Sequence, residues 1–386
     1  MYNNNEEAIE KAIAASSVAK VIRENLKQGL KIALVGAVNA GKSSAINAII
    51  GEEIAKVDAA TGTTKWFNVY PLPNSNVVKL IDTPGLRDPK TNISLKRNVH
   101  NIDIVLYFVN TASGWQDKDK SDCFWLNSEY GNDFIIVVSR IDADENWQRV
   151  KSQIEDDIDA CIIPICSKDG RGIDTLTEAI SKKLERLQKS FLFQLVCRDK
   201  QKACSATIRE TLLKVAGLAA MPASFGREIQ AINDEIIQMI VNLILIGEQK
   251  KGDHPSPEQT DKAEADAKNF YREFRKRLSW QSWIITWGAS AFKVLASASG
   301  ITVDVISAGL SGGIFSMSGI MISSGIASVA LVLYTATIGD AARNYFSEDI
   351  PSWEEIERIA KQSINGWSAI DYQDLQKFID NFRTSR

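Results

Sequence analysis

The sequence predicts an α/β domain, with a mostly parallel six-stranded sheet and helices on both faces, followed by an all-α domain. Three observations predict it. Apolar runs of strand length at 32–35, 77–81, 104–109, 134–138 and 162–165 alternate with helical stretches. Such continuous runs suit parallel strands buried on both faces, whereas half-exposed strands alternate. A glycine-bounded loop follows the first run, and no strand pattern returns after Leu187.

Each element follows in order. Residues 6–27 place Ala8, Ile9, Ala12, Ile13, Val18, Val21, Ile22 and Leu26 at helical spacing, which predicts one amphipathic helix within an N-terminal segment 1–30. The α/β domain covers 31–189, with 66–72 as an antiparallel edge strand ahead of the run at 77–81. The helical domain covers 190–386. Its helices are expected at 191–220 and 229–246, then a polar linker at 249–262 containing Gly252, Pro255 and Pro257. A basic stretch (Arg272, Arg275, Lys276, Arg277) leads to an apolar Gly/Ser-rich segment, 305–339, and an amphipathic helix closes the chain at 352–382.

With 386 residues, two domains are the natural division. A net charge of −3 gives no global attraction to nucleic acid or anionic lipid, so any such contact needs a local patch. The N-terminus, Met1 to Glu7, is polar and acidic and is not expected to be a secretory signal. The cysteines number five and form no CxxC pair, as expected of small buried hydrophobes in a reducing cytosol.

Gly36-Ala37-Val38-Asn39-Ala40-Gly41-Lys42-Ser43 follows a strand and opens a helix, with the spacing G-x4-G-K-S. Glycines at both ends let backbone N–H groups and the helix N-terminus wrap a phosphate. Asn39, Ala40, Gly41, Lys42, Ser43 and Ser44 are the candidate phosphate residues, Lys42 reaching the β- and γ-phosphates and Ser43 binding Mg²⁺. Asp82-Thr83-Pro84-Gly85 ends the run at 77–81. Asp82 there can hold Mg²⁺ through water, and the Gly85 N–H can meet the γ-phosphate; a plain Pro-Gly turn would leave the acid unexplained. Between them lies Thr61-Gly62-Thr63-Thr64, where Thr64, with Thr63 second, is the candidate hydroxyl completing the Mg²⁺ shell.

The strand at 134–138 leads into Ser139-Arg140-Ile141-Asp142. A carboxylate at Asp142 can accept from guanine N1–H and the exocyclic amine together, which adenine cannot offer. Arg140 can stack on the purine. Cys166-Ser167-Lys168, after the run at 162–165, is expected to present backbone N–H groups to guanine O6, although Lys168-Asp169-Gly170-Arg171-Gly172 alone reads as a turn.

These loops in this order resemble the Era-like branch of the translation-factor-related P-loop GTPases, which includes the tRNA-modification GTPases and adjoins the dynamin-like and immunity-related GTPases. Asn39 to Ser44 followed by Asn47, the Gly62-Thr63-Thr64 stretch, and Gly170-Arg171-Gly172-Ile173-Asp174 before Leu176 carry the match, which covers the nucleotide domain. The family pattern is Asn-Lys-x-Asp, so Ser139 and Arg140 depart from it, and Ser139 is expected to tie the loops less fully. The resemblance implies GTP hydrolysis to GDP and phosphate, Mg²⁺ as cofactor, and pairing of two copies across their nucleotide domains. Leu86 stands where Ras-type enzymes carry a water-orienting Gln, which implies a low intrinsic rate. Asn39 matches a position where relatives bind K⁺, its other role being to tie the loop. The second half weakly resembles a helical domain found behind Era-like GTPases.

The leading expectation is a cytoplasmic, membrane-associated switch or dynamin-like mechanoenzyme, with nucleic acid not an expected partner. The competing ones are an RNA or ribosome-assembly factor and a nucleotide-binding module with negligible turnover. The membrane expectation rests on the uncharged 305–339 and on Trp280, Trp283 and Trp287 after Arg275, Lys276 and Arg277. Against it, the glycines and serines of that segment suit close helix packing inside a protein core.

Overall fold

The computed structural model describes residues 2–51, 68–72, 75–82, 102–219, 227–248, 254–278, 324–347 and 352–367. The chain divides into two compact units: Arg23–Ala203 with Gln249–Pro255, and Met1–Ile22 with Cys204–Glu248 and Ser256–Arg386.

Two helices, α1 (Tyr2–Ala15) and α2 (Val18–Gln28), precede β1 (Leu30–Gly36). After β1 come α3 (Lys42–Ile50), β2 (Asn68–Leu72), β3 (Ser75–Asp82), β4 (Ile104–Asn110), α4 (Asp117–Tyr130), β5 (Phe134–Ser139), α5 (Trp147–Asp157), β6 (Cys161–Ile165), α6 (Ile173–Arg186) and α7 (Ser190–Gln194). The six-stranded sheet runs β2-β3-β1-β4-β5-β6. Five strands are mutually parallel, and β2 pairs antiparallel to β3. The expected edge at 66–72 is therefore present from Asn68; Trp66 and Phe67 lie outside the described residues. Pro71 sits in that edge strand, beside a shift in register, where a missing N–H costs no inner ladder bond.

Every residue of β5, and β4 from Ile104 to Val109, is buried. One face of the sheet packs under Cys123 and Leu126 of α4 and Val150 and Ile154 of α5. α6 buries Leu176, Ile180 and Leu184 and lies against α3 and α7.

The helical unit holds most of α8 (Lys200–Ala219), then α9 (Arg227–Glu248), α10 (Pro257–Arg277), α11 (Ser324–Tyr345) and α12 (Trp353–Trp367). Its core joins Ile236, Ile237, Ile240 and Ile244 of α9 to Phe270 and Phe274 of α10, Tyr334 and Ile338 of α11, and Ile356 of α12, all buried. α1 lies along α9 and touches α10. Gln230 donates to the Ala12 carbonyl at 3.2 Å, and Arg272 meets Glu10 at 3.1 Å.

Four expectations need correction. The helix expected over 6–27 breaks at Ser16-Ser17, because α10 satisfies both broken ends: Glu264 accepts from the Ala19 N–H at 2.7 Å and Lys268 donates to the Ser16 carbonyl at 2.7 Å. The helix expected over 191–220 is two, because the Asp199 carboxylate accepts from the Lys202 N–H at 3.0 Å and starts α8 afresh. The unit boundary accordingly falls between Ala203 and Cys204, not at 189, and Met1–Ile22 joins the helical unit. The linker expected at 249–262 ends early. Ser256 and Gln259 form a reciprocal capping box, and Pro257 is the first residue of α10, where its missing N–H would have had no partner.

Of the apolar segment 305–339, Val332 and the residues from Tyr334 to Ile338 are buried in the helical unit. Among the described residues no helix is long and apolar enough to cross a membrane. Trp280, Trp283, Trp287 and the segment up to 323 lie outside the described residues, as do 368–382 of the closing helix.

Candidate nucleotide site

The phosphate loop hangs from the C-terminal end of β1. Gly36, at φ 137°, lies so close to β4 that a Cβ there would meet the Phe108 carbonyl oxygen at 2.5 Å, so only glycine fits. The chain then turns through Asn39 and Gly41, both left-handed at φ 64° and 83°, and enters α3. The first-turn N–H groups of α3 have no intrahelical acceptor and open onto the loop, which is the arrangement an anion requires. Lys42 is buried and donates to the carbonyls of Gly36 at 3.1 Å and Ala37 at 3.0 Å. Ser43 and Ser44 are half-buried, Ala40 is buried and Asn39 is exposed.

β3 brings its last residue, Asp82, opposite Leu34 on the neighbouring β1, two residues before Gly36. The Asp82 side chain lies outside the described residues, with Thr63, Thr64, Gly85 and Leu86.

β5 ends at Ser139, whose buried hydroxyl sits between the Ala40 carbonyl at 2.6 Å and the Val109 carbonyl at 3.1 Å. Ser139 thus ties the phosphate loop, the end of β4 and the base loop at one point. A Cβ on Gly41 would lie 3.6 Å from the Ser139 hydroxyl, so the two loops are in direct contact. Arg140 is exposed and left-handed at φ 59°, and its carbonyl accepts from the Thr111 hydroxyl at 2.8 Å. Thr111 was not legible beforehand: nothing in the sequence distinguishes it from any residue ending a strand.

Asp142 is exposed one residue beyond Ile141, whose N–H bonds the Ile165 carbonyl at 3.3 Å. That bond aligns the Asp142 loop with Cys166, Ser167 and Lys168, of which Cys166 is buried, Ser167 half-buried and Lys168 exposed. The Cys166 N–H donates to the Arg171 carbonyl at 2.8 Å, and the Gly170 N–H returns to the Cys166 carbonyl at 3.0 Å. Asp169 accepts from the Arg171 N–H at 3.0 Å and from its guanidinium at 2.9 Å, which holds the Asp169 carboxyl well below the usual range. Gly172, at φ 75°, passes so near β6 that a Cβ would meet the Pro164 carbonyl oxygen at 2.0 Å. The turn suggested by 168–172 is therefore a closed, internally bonded loop.

The family described as 50S ribosome-binding GTPase matches residues 31–140. The chain is 30% identical over 174 residues to the tRNA modification GTPase MnmE of Chlorobium chlorochromatii, covering 42% of this chain and 37% of that protein. It is 29% identical over 218 residues to MnmE of Aquifex aeolicus, covering 54% and 44%. To GTPase Era of Aquifex aeolicus it is 27% identical over 169 residues, covering 40% and 56%. The chain thus spans about half or less of each of these curated relatives. Phosphate loop, base loop and sequence likeness converge on one statement: this chain carries a P-loop GTPase domain related to Era and MnmE, with a helical region behind it.

Proposed function

We propose that the chain binds GTP and GDP with Mg²⁺ and hydrolyses GTP. A water oxygen attacks the γ-phosphorus, the β–γ bridging P–O bond breaks, and GDP and phosphate leave. The observation that carries this reading is the Ser139 hydroxyl held against the Ala40 carbonyl at 2.6 Å, which fixes the phosphate and base loops in one register. Lys42 and the N–H groups of Asn39 to Ser44 are the proposed phosphate donors, and Asp142, Arg140 and the Cys166–Lys168 loop the proposed base contacts. Ser43 fits a hard cation that takes its remaining oxygens from phosphate and water, with Thr64 and Asp82 as the further proposed holders. Asn39, exposed in the loop, is the proposed K⁺ contact.

Labelled GTP titrated against the parent and Lys42→Ala tests the assignment, with phosphate release followed in potassium and in sodium. The parent should bind GTP without competition from ATP, release phosphate slowly, and turn over faster in potassium; Lys42→Ala should not bind. Parental affinity in Lys42→Ala, or strong ATP competition, overturns it.

The finer reading is a membrane-associated switch or mechanoenzyme whose two copies pair through their nucleotide domains. It is supported by residues from before and after the nucleotide domain forming one helical unit, and by the uncharged run 305–339 in the sequence. The alternative is an RNA- or ribosome-directed role, as the names of the relatives suggest; RNA co-purifying with the protein would favour it.

A further inference from the structure

We propose that the helical unit carries a second ligand site, for a small organic ammonium ion with an apolar body, in the cavity between α10 and the ends of α9, α11 and α12. It is separate from the nucleotide site: every described residue lining it belongs to the helical unit.

The cavity measures about 730 Å³, within the roughly 300–1,000 Å³ of small-molecule sites. Aromatic rings form its apolar wall. Phe270 of α10 is buried, and the rings of Tyr345 and Trp353 lie 5.0 and 5.6 Å from it, centroid to centroid. Phe346, 5.5 Å from Phe270, stands edge-on to Tyr345 at 4.9 Å. Tyr345, Phe346 and Trp353 are only half-buried, so part of each ring is left for a ligand to cover.

The polar side of the cavity sets the sign of that ligand. Its two bases are already engaged, Arg272 by Glu10 at 3.1 Å and Lys276 by Glu273 at 3.8 Å. Its carboxylates Glu248 and Asp266 have no ion-pair or hydrogen-bond partner among the described residues. Helix ends add to the imbalance. α9 ends at Glu248 and α11 at Tyr345, so two C-termini, each with partial negative charge, border the cavity. The N-terminus of α12, of opposite sign, carries Glu354 and Glu355 in its first turn, which offset it. Ring faces favour cations too, and the Arg277 guanidinium already lies over Trp353, 5.1 Å from its centroid. An anion would meet two unpaired carboxylates, and a neutral apolar molecule would strip them of water without replacing it. An ammonium group on an apolar stem answers both walls at once.

Phenethylammonium and 3-phenylpropionate test this, since each carries a phenyl ring on a short chain and they end in opposite charges. Calorimetric titration of the full chain should show saturable binding of the ammonium, weakening as salt is raised, and none of the carboxylate. Asp266→Asn and Glu248→Gln should each weaken it roughly fivefold, the scale of one partly exposed charge contact. Trp353→Ala should weaken it by about as much. GTP affinity should stay parental in all three. Both acid variants keep side-chain size at positions outside the core, so the test stands even if Trp353→Ala does not fold. Parental ammonium affinity in both acid variants overturns the proposal, as does a parent that gives no saturable heat. Equal or tighter binding of 3-phenylpropionate overturns it as well, and would give the cavity to Arg272 and Lys276. A parent that binds the ammonium but not GTP would overturn the nucleotide reading and leave this site standing.

Discussion

One hydroxyl proton stands between two buried carbonyls at the centre of the site. Ser139 can donate it to Ala40 or to Val109 at any instant, so the pair shares a single bond. Ser139→Ala leaves both carbonyls without it and should cost about 1–3 kcal/mol of stability, with weaker GDP binding as the loops separate. Denaturant midpoints and GDP titration check this; unchanged affinity would detach Ser139 from the site. A second residue acts on pH. Asp122 on α4 is half-buried beside the Tyr107 hydroxyl at 3.4 Å, and burial raises its carboxyl above the ordinary range. A raised carboxyl is a penalty when both folded and unfolded states are ionised, and the penalty fades as pH falls through the folded pKa and then the unfolded one. Asp122→Asn should therefore raise the thermal midpoint at pH 7 by about 1–2 °C. That gain should vanish in acid, below the ordinary carboxylate range, and a gain that persists there refutes the cause.

At the scale of elements, β1, β4 and β5 were legible because a strand buried on both faces writes an unbroken apolar run into the sequence, whereas exposed Lys79 interrupts the run of β3. The helix ends were less so, for a physical reason. The break at Ser16-Ser17 depends on Glu264 and Lys268, about 250 positions along the chain, and no local pattern reports a distant cap. Pro257 carries the opposite lesson: a residue that breaks a helix interior is suited to its first position, and only the Ser256–Gln259 box tells the two apart. Glu264→Ala should remove the cap of α2 and cost about 1 kcal/mol. Helix content by circular dichroism and the unfolding free energy check it, and a neutral result would mean that water serves the Ala19 N–H equally well.

For the whole molecule, the nucleotide domain was readable because phosphate and guanine impose fixed residue types at strand ends. The helical unit was not, since apolar helices look alike whether they pack on protein or lipid. Tyr334 to Ile338 illustrate this: uncharged in sequence, they are core in the fold. The membrane reading rests in sequence on Trp280, Trp283 and Trp287, which lie outside the described residues. Flotation with anionic liposomes should then be lost when Trp280, Trp283 and Trp287 become Ala, and a parent that stays at the bottom of the gradient removes the membrane reading. The strand order has a further consequence, in isotope exchange. β1 is bonded on both sides, by β3 and β4, whereas among the described residues β6 is bonded on one side, by β5. Amide deuterons should enter β6, which carries the Cys166–Gly172 loop, long before they enter β1, which carries the phosphate loop. A nucleotide spanning the two would therefore slow exchange most in β6, making that edge the place where occupancy is recorded in time.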